Sequence, residues 1–253
     1  MKKTIGFIGA GRITRIILQA LENFGMKPEK ISICDVNEAV TAKLKLQFPP
    51  VHITDLASVA ACDLIFIALH PPVIMETIAQ LKGIFRSNAI FISLAPKITL
   101  AKLSENLGTG NVVRLIPNAT SVINQGYNPV CYNPGIAGKN FVEDLLAPLG
   151  KTFETEEHKL EAYAIASAML PTYFWFQWYQ LIDIARQMGL SEEESTDCVR
   201  QTLLASIDTM FNSGLGKEEV IDLIPVKPIG EHETSINGFL QNNLIALYNK
   251  IKP

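Results

Sequence analysis

The stretch Thr4-Ile5-Gly6-Phe7-Ile8-Gly9-Ala10-Gly11-Arg12-Ile13-Thr14 decides the fold. Residues 4–8 read as a short buried strand, and a G-x-G turn follows at once. Ile13, Ile16, Ile17, Ala20, Leu21 and Phe24 then recur at helical spacing until Gly25, a residue placed to end a helix. In such a strand–turn–helix junction Gly9 permits the tight turn and Gly11 lets backbone approach a pyrophosphate. The helix start at Arg12 and Ile13 offers unpaired N–H groups and the positive end of a dipole. Thr14 stands where the usual fingerprint has a third small residue, which predicts slightly looser helix–strand packing. Asp35 ends the next apolar run, where a carboxylate accepts hydrogen bonds from an adenosine ribose. Its neighbours Val36, Asn37 and Glu38 bring no cation for a 2′-phosphate, so NAD is favoured over NADP. The competing reading of Asp35 is the N-cap of the following helix.

Working outward, apolar runs at 31–34, 51–53, 64–69, 89–93 and 112–116 predict further strands, with helical patterns at 38–47 and 73–81. Strand and helix alternate, which predicts a Rossmann-type doubly wound parallel sheet covered on both faces, closed by a unit at 141–154. Beyond residue 155 the texture changes to long helical patterns at 160–188, 191–212 and 234–250. Two domains are therefore expected: a dinucleotide-binding domain over 1–155 and a second, all-helical domain over 156–253. Ser191 and Glu194, after Gly189, form a capping box that separates two of these helices.

Composition narrows the class of partner. The chain has 253 residues, 48% of them hydrophobic and 19% charged, enough to bury a core and unlike a disordered chain. Lys plus Arg number 22 against 25 Asp plus Glu, a net charge of -3 without the basic surplus that nucleic-acid binding needs. Cys34, Cys62, Cys131 and Cys198 form no C-x-x-C pair, so free thiols in the cytoplasm are expected, and no metal site. Met1-Lys2-Lys3 and the apolar run after it resemble an export signal only briefly, because Arg12 and Arg15 interrupt. Residues 162–185 contain Pro171, Gln177, Gln180 and Asp183, which argues for a buried or interfacial helix over a membrane span. Within it Tyr173-Phe174-Trp175-Phe176-Gln177-Trp178-Tyr179 sets large rings on every side of a helix, predicting a homodimer or larger homo-oligomer; a central core helix is the alternative.

Several motifs carry a resemblance. Gly6-Phe7-Ile8-Gly9-Ala10-Gly11, Asp63-Leu64-Ile65-Phe66-Ile67-Ala68-Leu69-His70-Pro71, Ile92-Ser93-Leu94-Ala95 and Val113-Arg114-Leu115-Ile116-Pro117-Asn118 occur in order, followed by Gly126 and Pro171-Thr172-Tyr173. The chain resembles the pyrroline-5-carboxylate reductase family nearly end to end. The resemblance implies a Rossmann domain, a helical domain that intertwines with another subunit, and hydride delivery from a nicotinamide cofactor to the C=N bond of a cyclic imino acid. There are departures. His70 precedes Pro71 where the family usually has Lys-Pro, Ala95-Pro96-Lys97 replaces Ala-Ala-Gly, and Pro117-Asn118-Ala119-Thr120 replaces Pro-Asn-Thr-Pro. Ser167-Ala168-Met169-Leu170-Pro171-Thr172-Tyr173 stands for Ser-Gly-Ser-x-Pro-Ala-Tyr, and Pro228-Ile229-Gly230-Glu231-His232-Glu233-Thr234-Ser235 for the substrate segment Pro-Gly-Gly-Thr-Thr.

Few side chains suit proton transfer to the reduced bond. His232 is one, an imidazole between two carboxylates, against the reading of an exposed loop histidine before a capped helix. Lys97 is a second, as catalytic amine or carboxylate contact, against a solvated loop lysine. By resemblance Asn118 lies near the nicotinamide; the alternative is a turn residue after Pro117. Ala68, His70 and Pro71, at the carboxyl end of a parallel strand, are expected to meet the cofactor. Glu231, Thr234 and Ser235 are the expected substrate contacts, and Arg114 is either an anion anchor or an ion-pair partner. The reading is an NAD(P)H-dependent reductase acting on a small imino or keto acid. A hydroxy-acid or alcohol dehydrogenase, and a dinucleotide-binding sensory protein without catalysis, remain its rivals.

Overall fold

The computed structural model describes residues 3–253, apart from the side chains of Pro71 and Pro72; the reading of Met1 and Lys2 falls outside these. Eight strands form one sheet: β1 (Thr4–Ile8), β2 (Lys30–Cys34), β3 (His52–Ile53), β4 (Leu64–Ile67), β5 (Ile90–Ser93), β6 (Val112–Leu115), β7 (Gly126–Tyr132) and β8 (Gly150–Glu154). Their order is β3-β2-β1-β4-β5-β6-β7-β8. All neighbours pair in parallel except β6 with β7. The chain leaves β1 toward β2 on one side and returns to β4 on the other, which creates a switch point beside β1.

Helices α1 (Arg12–Asn23), α2 (Glu38–Gln47), α3 (Leu56–Ala60), α4 (Pro71–Leu81), α5 (Leu100–Leu107), α6 (Lys139–Leu146) and α7 (Leu160–Tyr163) flank the sheet. The alternation of strand side chains divides the interior into two cores. Ile5, Phe7, Leu64, Phe66, Ile92 and Val113 pack with Ile17, Leu21, Leu44 and Val142 of α1, α2 and α6. Ile8, Ile65, Ile67, Phe91 and Val112 pack on the opposite face with Val59, Ile78, Leu103 and Leu160 of α3, α4, α5 and α7. Gly25, at φ +72, follows the end of α1 as its position predicts.

The chain divides into a first compact unit, running to Met169 and including Leu247–Pro253, and a second, Leu170–Ala246. The division lies beyond the expected boundary at 155/156. Sequence texture changes at the first helical residue, whereas packing changes later: Leu160 and Ala164 are buried in the sheet's second core, and Glu161 is paired with Arg114 of β6. Nor is the helical pattern at 160–188 continuous. A π-helical segment, Ala164–Ala168, interrupts it before α8 (Leu170–Gln187) begins. The second unit also contains α9 (Glu192–Asn212) and α10 (Lys217–Asp222), and α11 (Glu233–Ile251) starts there. The capping box at Ser191 and Glu194 forms as expected, with the Glu194 N–H on Ser191 Oγ at 3.2 Å and the Ser191 N–H on Glu194 Oε2 at 2.8 Å.

Candidate functional site

The junction after β1 is built by two glycines with different tasks. Gly9 has φ +105, and a Cβ there would lie 2.4 Å from the Ala68 carbonyl oxygen, so no other residue fits. Gly11 is the N-cap of α1 in extended conformation, receives no side-chain cap, and has nothing within 4 Å of where a Cβ would sit. Here the glycine leaves open space at a helix end whose first N–H groups point outward. Thr14 is fully buried, and its hydroxyl donates to the Gly9 carbonyl at 2.7 Å. The departure from the usual fingerprint therefore ties the first turn of α1 to the glycine turn.

Asp35 does not cap α2. Asn37 does, accepting the Ala39 and Val40 N–H groups at 3.1 and 3.2 Å. The Asp35 carboxylate receives the Ala10 N–H at 2.7 Å on one oxygen and the Asn37 N–H at 2.9 Å on the other, joining the glycine turn to the end of β2. Beside it, burial, with Asp35 and Asp55 nearby, pushes the Cys34 thiol up to about 11, so this thiol is no nucleophile near neutral pH.

A cleft of about 930 Å³ opens at the carboxyl ends of β1, β4 and β5. Of the expected cofactor residues, Gly11, Arg12, Ile13, Ala68 and His70 line it, while Gly9 and Asp35 stand behind Ala10. The Pro71 side chain lies outside the described residues, although α4 begins at that position. Arg15, Asn37, Lys43, Leu94, Ala95 and Pro96 also line the cleft and were not singled out. The signal for residues 94–96 was their place just past the carboxyl end of β5; for Lys43 it was one helical turn from Ala39 on the same face.

Within the first unit, Lys97, Asn118 and Arg114 do not line the cleft. Lys97 follows the lining residue Pro96, has an exposed side chain, and holds φ +73. Asn118 is buried with its amide fully engaged: Oδ1 accepts the Thr120 N–H and hydroxyl at 3.0 and 2.9 Å, and Nδ2 donates to the Ser167 carbonyl and hydroxyl at 3.2 Å. It therefore forms the turn after Pro117 and ties that turn to the π-helical segment. Arg114 proves to be an ion-pair partner of Glu157 and Glu161. Glu231 and His232 belong to the second unit, in a 3-10 turn at Gly230–His232, with His232 Nε2 3.5 Å from Glu231 Oε1. Thr234 and Ser235 are exposed inside α11, which starts at Glu233.

A family model described as NADP oxidoreductase, coenzyme F420-dependent, matches residues 4–97. The pyrroline-5-carboxylate reductase of Pisum sativum is 24% identical, over 96% of this chain and 93% of its own; that of Methanosarcina acetivorans is 27% identical, over 92% and 87%. A crystal structure of the Plasmodium falciparum pyrroline carboxylate reductase with NADP bound superposes with a TM-score of 0.82 at 23% identity, covering 99% of this chain and 97% of that one. The Coxiella burnetii pyrroline-5-carboxylate reductase gives 0.70 at 25% identity, covering 99% and 95%. The resemblance carried by the motifs thus holds across the chain, with the Rossmann-like sheet and the helical C-terminal region it implied. No helix among the described residues is long and apolar enough to cross a membrane.

Proposed function

We propose that this chain, a divergent relative of the pyrroline-5-carboxylate reductases, is an NAD(P)H-dependent reductase transferring hydride to the C=N or C=O of a small imino or keto acid. The observation that carries the reading is the open space before Gly11, at an uncapped helix start inside the cleft. That space fits a diphosphate, because helix N–H groups and the dipole favour negative charge and no side chain fills it. When bound, the nicotinamide supplies the hydride. The chain's own residues bind and orient: Gly9 and Gly11 admit the diphosphate, Arg12 and Arg15 add positive charge, and Ala68, His70 and residues 94–96 wall the cleft. Asp35 favours NADH over NADPH, since its carboxylate would repel a 2′-phosphate and accept ribose hydroxyls.

On the substrate side, His232 is the proposed proton donor, and Glu231, Thr234 and Ser235 the proposed contacts. Lys97 is assigned to a substrate carboxylate, and Asn118 to shaping the wall through its bonds to Thr120 and Ser167. The reading includes a homodimer or larger assembly. In the second unit only Ala185 and Ser195 are buried, while Phe176, Tyr179, Phe211 and Phe239 are 66, 72, 72 and 68% exposed. A second copy is the partner that such apolar helices fit. Four free cysteines accord with a cytoplasmic location.

The test is calorimetry with NADH and NADPH, followed by a screen of small cyclic imines and keto acids for substrate-dependent cofactor oxidation. Binding with turnover on an imine or keto acid is expected. Oxidation of a hydroxy acid in its place favours the dehydrogenase alternative, and binding without any turnover favours a sensor. No binding of either cofactor overturns the reading. Light scattering that returns a stable monomer overturns the assembly.

A further inference from the structure

A charge cluster sits beneath the loop that closes one wall of the cleft. Arg114 is fully buried on β6, on the face where Val112 and Ile116 join the second core. Its Nη1 donates to Glu157 Oε1 at 3.0 Å and its Nη2 to Glu161 Oε1, and Glu161 is itself only 1% exposed. These same two oxygens reach the β5–α5 connection. Glu161 Oε1 accepts the Lys97 N–H at 3.0 Å, and Glu157 Oε1 accepts the Leu100 N–H at 2.6 Å. One guanidinium thus holds two carboxylates that grip both ends of a short loop.

Lys97 is the strained member of that loop. At φ +73 it occupies the left-handed region that residues with a Cβ avoid. Directly before it, Leu94, Ala95 and Pro96 line the cleft. A buried ion pair is a poor route to stability, since apolar side chains of similar volume serve as well. What apolar side chains cannot do is accept the N–H of a strained turn.

We infer that Glu161 is a positioning residue for the dinucleotide: pinned by Arg114, it fixes the left-handed turn at Lys97 and thereby sets residues 94–96 against the cofactor. The inference rests on the reading of the cleft as a dinucleotide site. It is tested on the full chain by titration with NADH. Glu161→Gln keeps an oxygen for the Lys97 N–H but not its charge, and is expected to weaken NADH about tenfold, the scale of exchanging a charge-assisted hydrogen bond for a neutral one. Adding Lys97→Gly to that variant relieves the left-handed strain and is expected to recover about half of the loss on a logarithmic scale. A purely structural role predicts a lowered Tm with unchanged NADH affinity, or no recovery in the double variant, and either result overturns the inference. Where Glu161→Gln fails to fold, Arg114→Lys keeps a counter-charge beside Glu161 but lacks the planar fork that holds Glu157 and Glu161 together. Weaker NADH binding at unchanged Tm then supports the inference, and unchanged binding overturns it. A wild-type chain that binds neither NADH nor NADPH fails at the earlier reading.

Discussion

Asp35 Oδ2 accepts the N–H of Ala10 at 2.7 Å, which ties the end of β2 to the middle of the glycine turn. Each carboxylate oxygen has a second lone pair, which leaves the group able to accept ribose hydroxyls while it holds the turn. Arg12, Arg15 and Lys43 line the same cleft and stand ready to attract a further phosphate once the negative charge is removed. Asp35→Asn is therefore expected to lower the NADH-to-NADPH ratio of kcat/KM by roughly tenfold, equivalent to about 1.4 kcal/mol. The ratio is the readout because loss of the turn's anchor weakens both cofactors. An unchanged ratio removes Asp35 from ribose recognition.

The two glycines of the turn separate folding from binding. Gly9→Ala forces a Cβ to 2.4 Å from the Ala68 oxygen at φ +105, and about 1–3 kcal/mol is expected from backbone strain alone. Gly11→Ala meets no atom within 4 Å in the free protein, so its stability should change by less than about 1 kcal/mol. Dinucleotide binding should nevertheless fall sharply, because the methyl group enters the diphosphate's space. Denaturant melts and NADH titrations of both variants check this, and a Gly11→Ala protein with full affinity contradicts the assignment.

What was legible in the sequence was what neighbours decide. The strand at Thr4–Ile8, the turn at Gly9 and Gly11, and the helix ended by Gly25 depend on local periodicity and backbone freedom, and all three form. The Thr14 bond is not legible locally, because it depends on a buried hydroxyl meeting the Gly9 carbonyl. The boundary after 155 shifted because Leu160, Glu161 and Ala164 are helical in pattern yet packed into the sheet's core. Arg114 pairs with Glu157 and Glu161 across more than forty positions of chain, a relation that no local pattern carries. The left-handed conformation of Lys97 was hidden for a related reason: a long-range carboxylate holds it there.

Arg114 offers a stability experiment with an internal control. Arg114→Met leaves the Glu161 carboxylate buried without its counter-charge, and about 3–5 kcal/mol of destabilisation is expected. Replacing both partners, Arg114→Met with Glu161→Leu, removes the unpaired charge and should restore much of that stability. Urea denaturation of the single and double variants decides it. If the double variant is no more stable than Arg114→Met, the destabilisation does not come from the stranded carboxylate.

Asp63 sets an acid limit on the sheet. Its Oδ2 accepts the Thr4 N–H and the Thr4 hydroxyl, both at 2.9 Å, while Arg86 Nη1 lies 3.2 Å and Lys3 Nζ 3.8 Å from Oδ1. Burial alone raises this carboxyl; the Thr4 bonds together with Lys3 and Arg86 outweigh it and hold the group below its ordinary value. A group depressed in the folded state stabilises fully above its unfolded value, about 3.9, and loses that contribution as pH falls through the lower folded value. Asp63→Asn keeps an oxygen for Thr4 but does not titrate. The stability gap between wild type and Asp63→Asn should be constant above about pH 5 and shrink as pH falls below about 3.9. Urea melts of both proteins across that range measure the gap, and one that stays constant through acid removes Asp63 as the titrating anchor of β1.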